Sequence, residues 1–126
     1  MKRQIVATDA APKAVGPYSQ AVWAGDFVFC AGQIPLDPVT GNMVDGGIVE
    51  QTQRVLLNIQ GLLQSEGLSL DHVIKTTVFL SDMGHFAAMN EVYGKYFTKD
   101  FPARSTVQVA RLPKDALVEI EVIASR

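Results

Sequence analysis

Apolar residues recur along this chain with two different periods, and the longer period predicts helices. Over residues 48–66 they return at steps of three and four, which places them on one face of a helix. This face comprises Ile48, Thr52, Val55, Leu56, Ile59, Leu62 and Leu63. Gly67 follows as a natural C-terminal stop. A second helix is predicted over 84–97, capped by Ser81 or Asp82. Its apolar side carries Phe86, Met89, Tyr93, Tyr96 and Phe97.

The shorter period, of two residues, predicts six strands separated by turn residues. They cover residues 4–8, 18–24, 26–33, 72–80, 104–110 and 116–124, the first being a short edge strand. Residues 34–47 contain three glycines and two prolines and are predicted to form a loop.

The order of these elements predicts an α+β fold with a mixed sheet. A strand, a helix and a strand in succession favour a parallel, right-handed crossover, and this succession occurs twice. The last two strands are joined by a short turn and are expected to be antiparallel. Both helices can then cover the same face of the sheet.

The other face of this sheet raises the question of what covers it. In 26–33, Phe27 and Phe29 alternate with Val28 and Cys30, so that both faces of the strand are apolar. Strands of this kind need cover on both sides, and two helices supply only one. We therefore expect the second face to pack against other copies of the chain.

Composition narrows the class of protein. The length of 126 residues suits one domain, with 48% hydrophobic and 19% charged residues. A net charge of −2 without a basic run gives no support to nucleic-acid binding. Neither a signal peptide nor an apolar run long enough to span a membrane is visible, so a cytoplasmic protein is expected.

No motif points to a cofactor or a metal. Cys30 is the single cysteine and is expected to be an inert core thiol, and no Cys/His spacing suggests zinc. No nucleotide-binding fingerprint or nucleophile motif occurs. His72 and His85 lie in different elements and are interpreted as ordinary surface residues.

Two charged residues in the C-terminal strands are the main candidates for chemistry. Arg104 either reaches water from a strand end or forms a planar fork for a carboxylate. Glu119 is either a solvent-facing residue or a half-buried group near Arg104 that orients water or passes a proton. Period 2 places Arg104, Thr106 and Gln108 on one face of their strand.

Three further positions carry a structural and a functional interpretation. Tyr18 is a packed aromatic or a phenol that reaches a ligand. Gly32 ends a strand or lets a ligand approach the backbone. Asn90 is a polar helix residue or a ligand contact.

The C-terminal stretch resembles the signature of a known family. Residues 102–124, PARSTVQVARLPKDALVEIEVIA, resemble the Rid family, the reactive intermediate deaminases, and most closely its RidA branch. VGPYSQ (15–20), CAGQIP (30–35), KTTVFLSDM (75–83) and MNEVYGKYF (89–97) also fit, so that the resemblance covers nearly the whole chain.

This resemblance implies a fold and an assembly. The fold would be chorismate-mutase-like, and three copies would form a homotrimer whose sheets pack into a central barrel, with ligand clefts between subunits. Arg104 would grip a substrate carboxylate, and Tyr18, Gly32, Asn90 and Glu119 would line the cleft.

It also implies a reaction, the cofactor-free hydrolysis of 2-imino acids such as 2-iminobutanoate and 2-iminopropanoate to 2-oxo acids and ammonia. Two positions in the same cleft depart from many relatives, since Thr106 replaces a cysteine and Ala31 a serine. Two alternatives stay open, namely a non-catalytic regulator that binds 2-oxo acids and an RNA-cleaving inhibitor of translation.

Overall fold

The chain folds into one six-stranded sheet with two helices, as the computed structural model, which describes residues 2–126, shows. The helices are α1 (Ile48–Gln64) and α2 (Phe86–Tyr96). The strands are β1 (Arg3–Val6), β2 (Ala21–Ala24), β3 (Phe27–Gln33), β4 (Val73–Leu80), β5 (Ala103–Gln108) and β6 (Val118–Ser125). Their order in the sheet is β1-β2-β3-β6-β4-β5.

The predicted α+β class, the mixed sheet and the opposite directions of the last two strands are confirmed, and the structure adds the order of the strands. β4 and β5 pair in parallel around α2, as the crossover argument required. β3 and β4, however, do not pair, because β6 lies between them and is antiparallel to both. β5 and β6 run in opposite directions, as expected, yet β4 separates them.

The burial of β6 explains its central place. Its inward side chains are Val118, Ile120, Val122 and Ala124, all at most 2% exposed. A strand with such a continuous apolar face gains most where it has neighbours on both edges and helices above it. β1 lies at one edge of the sheet, as its short apolar pattern predicted.

Most element boundaries agree with the prediction to within two residues, and the strand at 18–24 is the main exception. It begins only at Ala21, and the side chain of the preceding Gln20 bonds to the N-terminal segment. The Gln20 amide nitrogen donates to the carbonyls of Thr8 (3.0 Å), Ala11 (3.3 Å) and Pro12 (2.8 Å), and its oxygen accepts from the Thr8 amide (2.7 Å). One buried side chain thereby holds the segment 8–12 against the sheet.

The core lies between one face of the sheet and the two helices. Met89, Tyr93 and Phe97 of the predicted apolar side of α2 are buried there, with α1 contributing Val55 and Ile59. The opposite face of the sheet is uncovered in a single chain. Ile5, Phe27 and Phe29 are exposed there by 65%, 43% and 47%.

Gly61 shows how closely the N-terminal segment packs on α1. A Cβ added at this helical position would overlap the backbone carbonyl of Ala10. Gly94, in the exposed part of α2, would meet no atom within 4 Å. The two helical glycines therefore allow a direct comparison of alanine substitution at a closely packed position and at an open one.

We expect Gly61→Ala to lower the free energy of unfolding by about 1–3 kcal/mol, because the added methyl group must push the segment at Ala10 away. Gly94→Ala is expected to raise it by about 0.5–1 kcal/mol through helix propensity alone. Urea unfolding at one fixed protein concentration measures both. Equal stabilisation by the two changes would contradict the close packing at Ala10.

Candidate active site

One cavity of the described chain contains Glu119. It has a volume of about 830 Å³, and Tyr18, Ala31, Gly32 and Lys114 share its wall with that carboxylate. Four of the seven predicted site residues, Tyr18, Ala31, Gly32 and Glu119, therefore lie around one pocket.

A β-bulge shapes the floor of this pocket. The register between β3 and β6 shifts between Cys30 and Gln33, which leaves Ala31 and Gly32 in the irregular stretch. Such bulges bend a strand and redirect its side chains. A Cβ at Gly32 would overlap the carboxylate of Glu119, so any larger residue here would displace this side chain from its position. The glycine in CAGQIP is thus explained by the carboxylate opposite it.

The environment of Glu119 favours its protonated form. The side chain is half-buried, and this desolvation, followed by the nearby charge of Glu121, raises the pKa of its carboxyl group above the usual value. A carboxyl group with a raised pKa can exchange protons with a substrate nearer to neutral pH.

Tyr18 lies at the mouth of the same pocket and is 55% exposed. Gly16 precedes it with a φ of +127°, a conformation that favours glycine. The Val15 amide donates to the Tyr18 hydroxyl at 3.4 Å. The phenol is therefore loosely held and accessible to a ligand.

Arg104 lies in a second cluster, on the edge strand β5. Its guanidinium stacks over Tyr93, with the carbon Cζ 4.7 Å from the ring centroid, and is 5.6 Å from the centroid of Phe86. One of its nitrogens, Nη1, donates to Oδ1 of Asn90 at 2.7 Å. Two aromatic rings and one amide oxygen thus fix a guanidinium that keeps further donors available.

The sequence interpretation missed the role of Tyr93 in this cluster. Its hydroxyl and that of Thr76 are 2.9 Å apart, which anchors the ring beneath Arg104. Burial raises the pKa of the Tyr93 phenol, against smaller opposing effects of Thr76 and Arg104. The position of Tyr93 three residues after Asn90 on α2 was the available signal, because such residues share a helix face.

Thr106 belongs to the same cluster by register. It lies two residues after Arg104 on the same side of β5, and its hydroxyl oxygen is buried without a hydrogen-bond partner among the described residues. An unpaired buried hydroxyl is unfavourable and is available to a ligand atom.

The two clusters do not meet within one chain. Arg104 pairs with Thr76, whose side chain is buried under α2, and therefore faces the helices. Glu119 pairs with Phe79, which lies three residues after Thr76 on β4. Because side chains alternate along a strand, Glu119 points to the opposite face of the sheet. The expected proximity of Glu119 to Arg104 is absent from the isolated chain, because the sheet separates them.

Other reactive groups are placed as follows. Burial raises the pKa of the Cys30 thiol to about 12, so it stays protonated at neutral pH, in agreement with an inert core residue. Over residues 2–126, no three His, Cys, Asp or Glu side chains come together as a metal site. In the same part of the chain, no helix has the length and hydropathy needed to cross a membrane.

The sequence is similar to those of known proteins. A family model described as Endoribonuclease L-PSP matches residues 8–126. The chain is 57% identical over 122 residues to a RutC family protein of Pyrococcus horikoshii, with 97% of each chain covered. It is 47% identical over 122 residues to the 2-iminobutanoate/2-iminopropanoate deaminase of Capra hircus, covering 97% of this chain and 89% of that protein.

The fold is shared with solved structures. The crystal structure of E. coli TdcF with bound serine matches with a TM-score of 0.93 and 45% identity, covering 98% of both chains. These comparisons agree with the resemblance of the sequence motifs to the Rid family, because the family model spans almost the whole chain and the relatives are about half identical to it. The chain belongs to the Endoribonuclease L-PSP family, which is the Rid family.

Proposed function

We propose that this protein hydrolyses 2-imino acids, such as 2-iminobutanoate and 2-iminopropanoate, to 2-oxo acids and ammonia without a cofactor. The observation that carries the proposal is a pair of matched groups, a half-buried carboxyl group of raised pKa at Glu119 and an aromatic-stacked guanidinium at Arg104. The goat relative, named for this activity, and the serine-bound E. coli structure support the substrate class.

Arg104 would bind the substrate carboxylate. A guanidinium offers five N–H donors in one plane, and Asn90 occupies only one nitrogen, which leaves paired donors for the two carboxylate oxygens. Stacking on Tyr93 fixes that plane before the substrate arrives. Such positioning lowers the entropic cost of reaching the reactive geometry.

Glu119 would act on the water. Its carboxylate takes a proton from a water molecule as the oxygen attacks C2 of the substrate in its protonated, iminium form. The resulting tetrahedral carbon carries a hydroxyl and an amino group. Glu119 then returns this proton to the amino nitrogen, and the C–N bond breaks as the hydroxyl proton is lost to solvent. The products are ammonia and the 2-oxo acid, and Tyr18 at the pocket mouth donates a hydrogen bond to the departing nitrogen. An imine carbon is already electrophilic, so proton transfer and positioning are sufficient.

The site is proposed to form between copies of the chain in a homotrimer. Arg104 and Glu119 lie on opposite faces of one sheet, so a second copy must bring a guanidinium to each carboxylate. The uncovered face with Ile5, Phe27 and Phe29 supplies the apolar surface that such an assembly needs. Closed rings of identical subunits repeat one such contact at every interface.

A mixture of two inactive variants tests this shared site. When Arg104→Ala and Glu119→Gln chains are unfolded together and refolded at equal amounts, about a quarter of the interfaces combine both native residues, and activity should return to about that fraction. Each variant refolded alone is the control. If the mixture stays as inactive as its components, a site shared between chains is wrong.

The activity itself is tested by following the imine. An amino-acid oxidase generates 2-iminobutanoate or 2-iminopropanoate, and semicarbazide traps whatever imine remains. The wild-type protein should lower the semicarbazone yield in proportion to its concentration. If it does not, while 2-oxo acids still bind, the protein is a metabolite-binding regulator and the enzymatic proposal fails.

RNA cleavage is the second candidate, because the matching family model is described as Endoribonuclease L-PSP. The net charge of −2 opposes an RNA-binding surface. One of the two histidines, His72, accepts the backbone N–H of Ser69 in a turn, which is a structural role. Cleavage that co-purifies with the protein through several columns and disappears in Glu119→Gln would favour this function instead.

A further inference from the structure

The pocket around Glu119 extends well beyond the reacting atoms, and its far wall is apolar. Ile34, Leu36, Pro38 and Val39 form this wall, which we call the loop wall. At about 830 Å³ the pocket lies in the upper part of the range of about 300–1,000 Å³ that is usual for ligand sites. A pocket of this size has room for more than a three- or four-carbon imino acid.

The loop wall is a preformed unit. Oδ1 of Asp37 accepts the amides of Val39 (2.7 Å) and Thr40 (3.1 Å). The Val44 amide donates to the carbonyl of Pro35 at 3.0 Å, which closes the base of the loop. These bonds fix the shape of the loop but do not attach it to the rest of the molecule.

Asn58 supplies the attachment. Its side chain is fully buried on α1, and its amide nitrogen donates to the carbonyls of Leu36 (2.9 Å) and Ile34 (3.4 Å). Its oxygen Oδ1 accepts from Nε of Arg54 at 3.1 Å, which fixes the orientation of the amide. The two carbonyls belong to residues of the loop wall, so Arg54 and Asn58 set the distance of this wall from Glu119.

We propose that Asn58 is a positioning residue that determines which side chains the substrate can carry. The proposal rests on the proposed function. With the carboxylate and C2 of a 2-imino acid held near Glu119, a long aliphatic side chain reaches the loop wall and gains apolar contact there. A substrate with a single methyl group does not reach it. Asn58 thus favours 2-imino acids of large apolar amino acids over the smallest ones.

Asn58→Ala tests the proposal through two substrates in parallel, the imines of leucine and of alanine. We expect KM for the leucine-derived imine to rise by about tenfold, within the range of 10–200-fold that one methylene contact can contribute. KM for the alanine-derived imine should change by less than about twofold, and kcat for both should hold. An equal change for both substrates, or a fall in kcat alone, would overturn the proposal.

Two variants of the same helix keep this test sharp if Asn58→Ala fails to fold. Arg54→Met removes the donor to the Asn58 oxygen and also the positive charge that acts on the loop carboxylate of Asp37, and it should produce the same selective rise in KM to a smaller extent. Thr52→Val is the control, because the Thr52 hydroxyl is buried without a partner among the described residues and its loss should leave both KM values unchanged. Equal KM values for Arg54→Met and wild type would count against the proposal.

Binding measurements separate a failure of this inference from a failure of the proposed function. If the wild-type protein hydrolyses neither imine, the enzymatic proposal is wrong, and calorimetry with pyruvate and 2-oxo-4-methylpentanoate replaces the kinetic test. Weaker binding of the larger 2-oxo acid alone in Asn58→Ala would support the role of the loop wall. Parallel weakening of both ligands, or no binding of the larger one to wild type, would refute it.

Discussion

Replacing Arg104 with alanine is expected to lower kcat/KM for 2-imino acids by at least about 100-fold. Each hydrogen bond to a charged group contributes about 1.5–3 kcal/mol, and a carboxylate held by a guanidinium fork loses two of them. A change of about 1.4 kcal/mol corresponds to a factor of ten, so the pair accounts for two or more orders of magnitude. The semicarbazide competition assay, run over a range of imine concentrations, measures the loss.

Arg104→Lys separates the geometry of the fork from its charge. Lysine keeps the positive charge but lacks paired planar donors and cannot stack in the same way on Tyr93, so it should recover only a small part of the activity. Asn90→Ala removes one partner of the guanidinium and should have an intermediate effect.

Folding provides the control for these Arg104 variants. The stacking of Arg104 on Tyr93 at this half-exposed position contributes at most about 1 kcal/mol. Unfolding and size-exclusion profiles of Arg104→Ala should therefore resemble those of wild type. An alanine variant that deaminates normally would show that Arg104 has only a structural role.

Local patterns predicted the elements of the fold because local physics determines them. The apolar face of 48–66 predicted a helix with one buried side, and α1 follows it closely. The alternation in 104–110 placed Arg104 and Thr106 on one side of β5, as the structure has them. The resemblance added the grouping of Tyr18, Gly32, Asn90 and Glu119 in one cleft. Three of these residues line one pocket, whereas Asn90 lies in the other cluster beside Arg104.

The remaining features depend on long-range packing, which a pattern does not contain. The position of β6 between β3 and β4 depends on the relative stability of all possible strand orders, which involves every strand at once. Gln20 and Asn58 act through hydrogen bonds to backbone carbonyls up to 24 residues away, and any buried amide could have had a similar sequence context. The separation of Arg104 from Glu119 required the register of both strands with β4.

Glu119→Gln is expected to lower kcat by about 10²–10⁴-fold, the range that a general base contributes. The amide is nearly the same size and fits the space opposite Gly32, but it cannot accept a proton from water. Gly32→Ala should also inactivate the protein, because its methyl group would displace the carboxylate while leaving it chemically intact. Single-turnover rates at saturating imine distinguish these effects from weaker binding.

The dependence on pH distinguishes a functional Glu119 from a structural one. Burial raises the pKa of Glu119 above its usual value of 4.5, so the folded protein binds this proton more tightly than the unfolded chain does. As pH rises through the usual pKa and then through the raised one, stability is lost, and above the raised pKa the ionised side chain remains a cost to the fold. Wild-type activity should show the opposite trend and decline as pH falls through the raised pKa.

Glu119→Gln should therefore be at least as stable as wild type at neutral pH although it is inactive. The two proteins should converge in stability below about pH 4, where both states of wild type are protonated. Thermal unfolding of both proteins from acid to neutral pH, at one protein concentration, gives the comparison. A different result would contradict the catalytic role. If the variant has a lower unfolding temperature than wild type at neutral pH, and this difference shrinks in acid, the Glu119 carboxylate stabilises the fold. Its position in the pocket beside Gly32 then has a structural explanation.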